Sequence, residues 1–182
     1  MGDIQPGVDP SADPTETGSD MLDGSDVMGR LNDVERRLNA HAEREKPAGL
    51  TDPDPDGTER WEAGQVWGHM AEFVGYWSGE LERVITTYDG EAVAFGRTKE
   101  DAGRITGIEM GLGAAIPDLM GRVRDSIAEL RRLLAGLTSA EWNTVGRHPT
   151  RGELDAEAIV ERFIVAHLEE HADQLDTLTA HD

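Results

Sequence analysis

Apolar residues recur along most of this chain at helical spacing. Val27, Leu31, Val34 and Leu38 step by 4, 3 and 4, which predicts an amphipathic helix from Ser25 to Lys46, stopped by Pro47 and Gly49. After the turn-rich Thr51–Gly57, the positions Val66, Met70, Phe73, Trp77, Leu81 and Val84 predict a second helix from about Glu59 to Thr86. A loop is expected from Tyr88 to Arg97. Thr98 with Asp101 reads as a capping box opening a short helix through Met110, against which Gly107, Gly111 and Gly113 count. Pro117 suits a first helical turn, and Leu119, Val123, Ile127, Leu130, Leu134 and Leu137 give the next helix its buried face. Thr138 and Glu141 form another capping box for a single turn around Trp142. GRHPTRG reads as a loop, and a last helix runs from about Leu154 to Leu178, capped by Thr150 or Asp155. Four main amphipathic helices and no convincing strand predict an all-α fold, a four-helix bundle. The long connection between helices 2 and 3 permits a crossover.

Composition narrows the partners. The 182 residues suffice for one domain and a tail. Residues 1–24 are rich in Asp, Pro, Gly, Ser and Thr, with no Lys or Arg before Arg30, and read as a disordered acidic tail ahead of a bundle spanning 25–182. A net charge of -20 argues against nucleic acid and anionic membranes as partners. The chain has no cysteine, which excludes disulfides, thiolate metal sites and a cysteine nucleophile. No apolar run approaches a membrane span, and the opening residues lack a secretory pattern, so a cytoplasmic location is expected.

The last helix holds the sharpest chemical signal, His167-Leu-Glu-Glu-His171-Ala-Asp-Gln174. At about 100° per residue, His167 and His171 lie about 40° apart on one face. The stripe of Val160, Ile164 and Leu178 passes between them, so both imidazoles should point inward. Glu169 and Asp173 face away. Two histidines at i and i+4 can grip one ion, and neutral imidazole suits Zn, Ni, Cu or Fe(II). His69, flanked by Val66, Met70 and Phe73 on the second helix, supplies a third donor and makes an open mononuclear site with a vacant position. Leu168 stands where a zinc protease would have its Glu, and no histidine has a Glu three residues before it as a di-iron bundle requires. His41 continues the first helix's stripe, while His148 and His181 read as solvated. Glu170 could brace a histidine ring, Tyr76 and Glu80 could line a pocket entrance, and Trp61, Trp67 and Trp77 read as core mass.

Three stretches carry a family resemblance: Trp61-Glu-Ala-Gly-Gln-Val-Trp-Gly-His69-Met-Ala-Glu-Phe, then His148-Pro-Thr-Arg-Gly-Glu-Leu, then the closing His167 to Leu175 segment. In them the chain resembles the DinB/YfiT-like family of metal-dependent bundle proteins over about residues 25–180. The resemblance implies one divalent ion on His69, His167 and His171, a four-helix bundle with a long crossover, and frequent homodimers. Some relatives so implied are transferases or isomerases using a low-molecular-weight thiol such as mycothiol or bacillithiol.

The expected activity is therefore metal-dependent transfer of a small-molecule thiol, of the mycothiol type, to an electrophile. An Arg near the site would recognise a carboxylate on the thiol, with Arg97, Arg104 and Arg147 as candidates. A metal-dependent hydrolase is the alternative, with Glu170 or Glu72 as the base. A non-catalytic, metal-stabilised binding or stress module is another. A deep cleft beside the ion favours an enzyme, and a filled core favours the module.

Overall fold

The computed structural model describes residues 24–53 and 58–179. The acidic tail expected over residues 1–24 lies outside these, apart from Gly24, and so does His181. Four long elements form the bundle: α1 (Gly24–Ala42), α2 (Ala63–Thr87), α4 (Ile116–Gly136) and a final segment, α6 (Ala156–Val160) continued into α7 (Ala166–Thr179). α6 and α7 are joined by a π-helical turn, Glu161–Val165. Two shorter helices are α3 (Ala102–Met110) and α5 (Ser139–Trp142). α4 packs on α1 and α2, and α7 packs on the same two. α1 and α2, though consecutive, therefore sit across the bundle from each other. The connection from α2 to α4 is the long one, and it carries α3.

The predicted stripes are the core. Leu31 and Leu38 of α1, Phe73 and Leu81 of α2, Ile127 and Leu130 of α4, and Ile164 and Leu168 of the final segment are fully buried together. Burying side chains of this size contributes about 1.5–3 kcal/mol each, and that offsets the ordering entropy. The termini are set by short polar exchanges. Glu62 and Gln65 close a capping box on α2, Thr138 and Glu141 do so on α5, and Asp155 caps α6 through the Ala158 amide. On α3 the cap is Asp101, which accepts from the Arg104 amide, so the helix starts later than a Thr98 cap would place it.

Two expected loops contain strands. Val93–Ala94 (β1) pairs in parallel with Val145–His148 (β2), which pairs antiparallel with Gly152–Asp155 (β3). GRHPTRG is thus a hairpin, with Gly152 at a φ of 75°. The apolar alternation of such short strands is too brief to register against helical stripes. Two of the glycines that weaken α3 as a helix have a packing role. Gly107 and Gly111 lie against Gly64 and Gly68 of α2 so closely that a Cβ on Gly68 or Gly111 would overlap the facing backbone. α3 is held flat on α2, and that contact brings Arg104 to the site.

Candidate metal centre

His69 comes from α2, and His167 and His171 from α7, its neighbour in the bundle. Their ring Nε2 atoms converge: His167 Nε2 lies 3.1 Å from His69 Nε2 and 3.2 Å from His171 Nε2. Metal–nitrogen bonds of about 2.0–2.1 Å in a tetrahedral shell place ligand nitrogens about 3.3 Å apart, close to this spacing. His167 Nε2 carries at most one proton, so hydrogen bonding alone leaves lone pairs facing one another. A divalent cation removes that conflict, and the donor set fits one. Among the described residues this triad is the cluster of metal-ligating side chains that can hold an ion.

The surroundings keep the His69 and His171 rings neutral and orient those of His167 and His171. Burial, then the neighbouring His167, pushes His171 down to about 3, while burial, then His171 and His167, holds His69 well below the ordinary imidazole range. His171 Nδ1 donates to Gln174 Oε1 at 2.8 Å, which fixes the tautomer with its Nε2 lone pair inward. Glu170 lies 3.3 Å from His167 Nδ1 and braces that ring in the same way; its carboxyl sits below the usual range through the His167 hydrogen bond. His69 Nδ1 is buried without a partner among the described residues. Trp61 stacks on His171 with centroids 5.9 Å apart and meets His69 edge-on at 5.2 Å, and Phe73 closes on His167 at 4.6 Å.

One side of the triad is open. A cavity of about 560 Å³ reaches all three histidines, and His167 is the most exposed of them. Trp77 and Phe163 form an apolar wall, and Arg97 and Arg104 stand on the α3 side. Arg104 reaches over the Trp61 ring at 5.5 Å.

Several expectations resolve here. Trp61 is a wall of the site, whereas Trp67 is core mass. Of the three candidate arginines, Arg97 and Arg104 line the cavity, and Arg147 pairs with Glu153 on the hairpin away from it. Glu72 is engaged with Arg97. Tyr76 lies beneath Arg97 and Glu80 accepts from the Gly96 amide, so both support the wall from behind. His41 is buried against Asp176, apart from the triad. His148, expected in solvent, is 5% exposed and packs on Phe163 and Phe95, because the hairpin folds it inward beside Gly96. Lys99, Arg151 and Arg162 also line the cavity; they sit in a loop, a turn and a π-helical turn, where sequence periodicity assigns no facing.

A model of the DinB superfamily matches residues 30–175. The fold superposes on YfiT from Bacillus subtilis, described as a probable metal-dependent hydrolase with an unusual four-helix bundle topology. The TM-score is 0.68 at 17% identity, over 93% of this chain and 92% of that one. An uncharacterized protein from Clostridium difficile 630 superposes with a TM-score of 0.55 at 12% identity, over 87% of this chain and 96% of that one. No curated protein matches the chain.

Proposed function

The chain belongs to the DinB superfamily, and from that premise we propose that it is a metal-dependent enzyme that activates a low-molecular-weight thiol, of the mycothiol type, for transfer to an electrophile. The observation that carries this reading is a convergent three-histidine centre whose free side opens on a cavity of about 560 Å³. A non-catalytic module would have that space filled. A divalent ion there would supply Lewis acidity, lowering the pKa of a thiol or water placed at the open side.

The chain's own residues support the rest of the chemistry. Gln174 and Glu170 hold the rings of His171 and His167 with their Nε2 atoms inward. Trp61, Phe73, Trp77 and Phe163 shed water from the site and strengthen every electrostatic contact inside it. Nucleophile choice turns on the carboxylates. A hydrolase needs a free base to take a proton from water, yet Glu72 is locked to Arg97 and Glu170 is engaged with His167. A thiol is acidic enough to react without such a base.

Hydrolysis is the second reading. It is favoured by Glu170, which borders the cavity and could exchange His167 for water, and by the description given to YfiT.

The test starts with metal analysis of the purified protein. It continues with transfer of mycothiol, bacillithiol or glutathione to a bimane-type electrophile, with and without chelator. Acceleration that chelation and His167→Ala both abolish is the expected result. Glu170→Gln should leave thiol transfer within about tenfold with metal affinity unchanged; a loss of about 100-fold or more at unchanged metal affinity would mean that the transfer needs Glu170 as a base. Metal-loaded protein with no rate above background would refute the transferase reading.

A further inference from the structure

The charge around the site runs against the charge of the chain. Overall, acidic residues outnumber basic ones 37 to 17. In the cavity the ratio inverts: Arg97, Lys99, Arg104, Arg151 and Arg162 line it, against Asp52, Glu59 and Glu170. These cations come from the loop before α3, from α3, from the β2–β3 turn and from the π-helical turn. Four separate segments of an acidic protein deliver positive charge to one cavity.

The five cations are not equivalent. Arg97 is neutralised within the fold by Glu72 and Asp101. Lys99, Arg151 and Arg162 have no ion-pair partner among the described residues. Arg104 is the most committed to the site. Its guanidinium lies over Trp61, the ring that stacks on His171, and it donates to the Lys99 carbonyl. Its carboxylate contact is a long one, 3.4 Å to Glu59, although the side chain is only 14% exposed. A largely buried guanidinium with one long carboxylate contact, beside a metal centre of neutral ligands, has donors left for a second anion. Three neutral imidazoles leave a divalent ion its full charge, which adds to the same demand.

The geometry also bears on the kind of anion. One common kind of phosphate site uses free main-chain amides at a helix N-terminus. The helix that begins here, α3, has its first turn capped by Asp101 through the Arg104 amide. What remains are side-chain cations, chiefly guanidinium forks that take carboxylate or phosphate alike, and the apolar wall of Trp77 and Phe163 beside them favours an organic carboxylate. We propose that the cavity takes a small carboxylate-bearing substrate, gripped by Arg104 with its reacting end at the three-histidine centre; this rests on the metal-dependent reading above.

The experiment is calorimetric titration of zinc-loaded protein with succinate, with its neutral dimethyl ester and inorganic phosphate as controls. Zinc affinity is measured separately in every variant by chelator competition. Succinate should bind, more weakly as salt rises, and the diester should not. Arg104→Gln should weaken succinate at least about tenfold, and Arg104→Lys should restore part of the loss, with zinc affinity unchanged in both. Equal succinate affinity in wild type and Arg104→Gln would overturn the proposal, since the metal alone would then hold the anion. Binding of the diester as tight as succinate, or of phosphate tighter, would overturn it too. Should zinc not bind at all, the metal-dependent reading fails by itself, and the metal-free protein decides the carboxylate site. Arg104-dependent succinate binding there supports it, and no binding overturns it.

Discussion

In the metal-free protein, stability should depend on pH between neutrality and about pH 5, and His171 should account for a definable share. In the unfolded chain an imidazole takes up its proton near pH 6.5. In the folded protein burial, and then the neighbouring His167, hold His171 neutral down to about 3. Between those values the unfolded state binds the extra proton. The stability due to a neutral His171 is therefore complete above about pH 6.5 and declines as pH falls toward 3. The 1.5 units from about 6.5 to about 5, at about 1.36 kcal/mol each, amount to about 2 kcal/mol. His69 is depressed by the same causes and adds to the loss with the same sign.

The measurement is urea unfolding in excess chelator at about pH 7, 6 and 5, on wild type and on His171→Gln, which keeps polar bulk but does not titrate. Carboxylates contribute little in this window, because Glu170 and Asp176 are held below their ordinary range and ionise at lower pH. Wild type should lose about 2 kcal/mol more than the variant from about pH 7 to about pH 5. Parallel pH profiles in the two proteins would refute the buried, neutral histidine on which the donor set depends.

Metal should stabilise the folded state alone. At about a thousandfold over its dissociation constant the gain is about 4 kcal/mol, or about 8–16 °C in Tm for a domain of this size. His171→Ala should remove most of that shift in thermal unfolding, and an equal shift would place the ion elsewhere. Gln174→Ala should lower zinc affinity about tenfold or more with helical content unchanged, read by chelator competition and circular dichroism, because His171 loses the acceptor that fixes its tautomer. Gly68→Ala should cost about 1–3 kcal/mol or more in urea unfolding, because its Cβ would sit 2.7 Å from the Gly111 Cα with no flexible side chain to yield. An unchanged midpoint would mean that α2 and α3 are not in backbone contact.

The bundle was legible because its stripes are long. Four runs of apolar residues at steps of 3 and 4 predict helices whose buried faces are those seen. The histidines were legible for the same reason, since helical spacing places side chains in angle and burial goes with angle. The small sheet was not, because strands of 2 to 4 residues leave no periodicity to count. That omission carried His148 with it: a histidine beside Pro149 reads as a loop residue until the hairpin turns it onto Phe163. The basic lining was hidden as well. Arg151 and Lys99 lie in turns and loops, and the reach of Arg104 depends on Gly64 and Gly68 of α2 meeting Gly107 of α3 and Gly111 at its end, a tertiary fact.

The π-helical turn shows how far helical phase alone could go. In one unbroken α-helix, Val160 would lie midway between His167 and His171 with Ile164 about 20° beyond His171, and both rings would enter the middle of the core with no room for an open side. The turn Glu161–Val165 inserts about one extra residue, which rotates α6 by about 100° relative to α7. Val160 then aligns with Leu168 and Leu175, all three buried on a common stripe. Measured from that stripe, His171 stands about 60° to one side and His167 about 100°, at the border of the core. The order of exposure agrees: His171 is buried, and His167 is 31% exposed in its side chain. The same turn sets Phe163 and Arg162 at the cavity, and Arg30 of α1 ties Glu161, at the start of the turn, to Glu169 in α7. The histidine pair reads as buried from spacing alone, but its opening onto a cavity comes from a one-residue irregularity. No residue in Glu-Arg-Phe-Ile-Val announces that irregularity, because each is compatible with an α-helix.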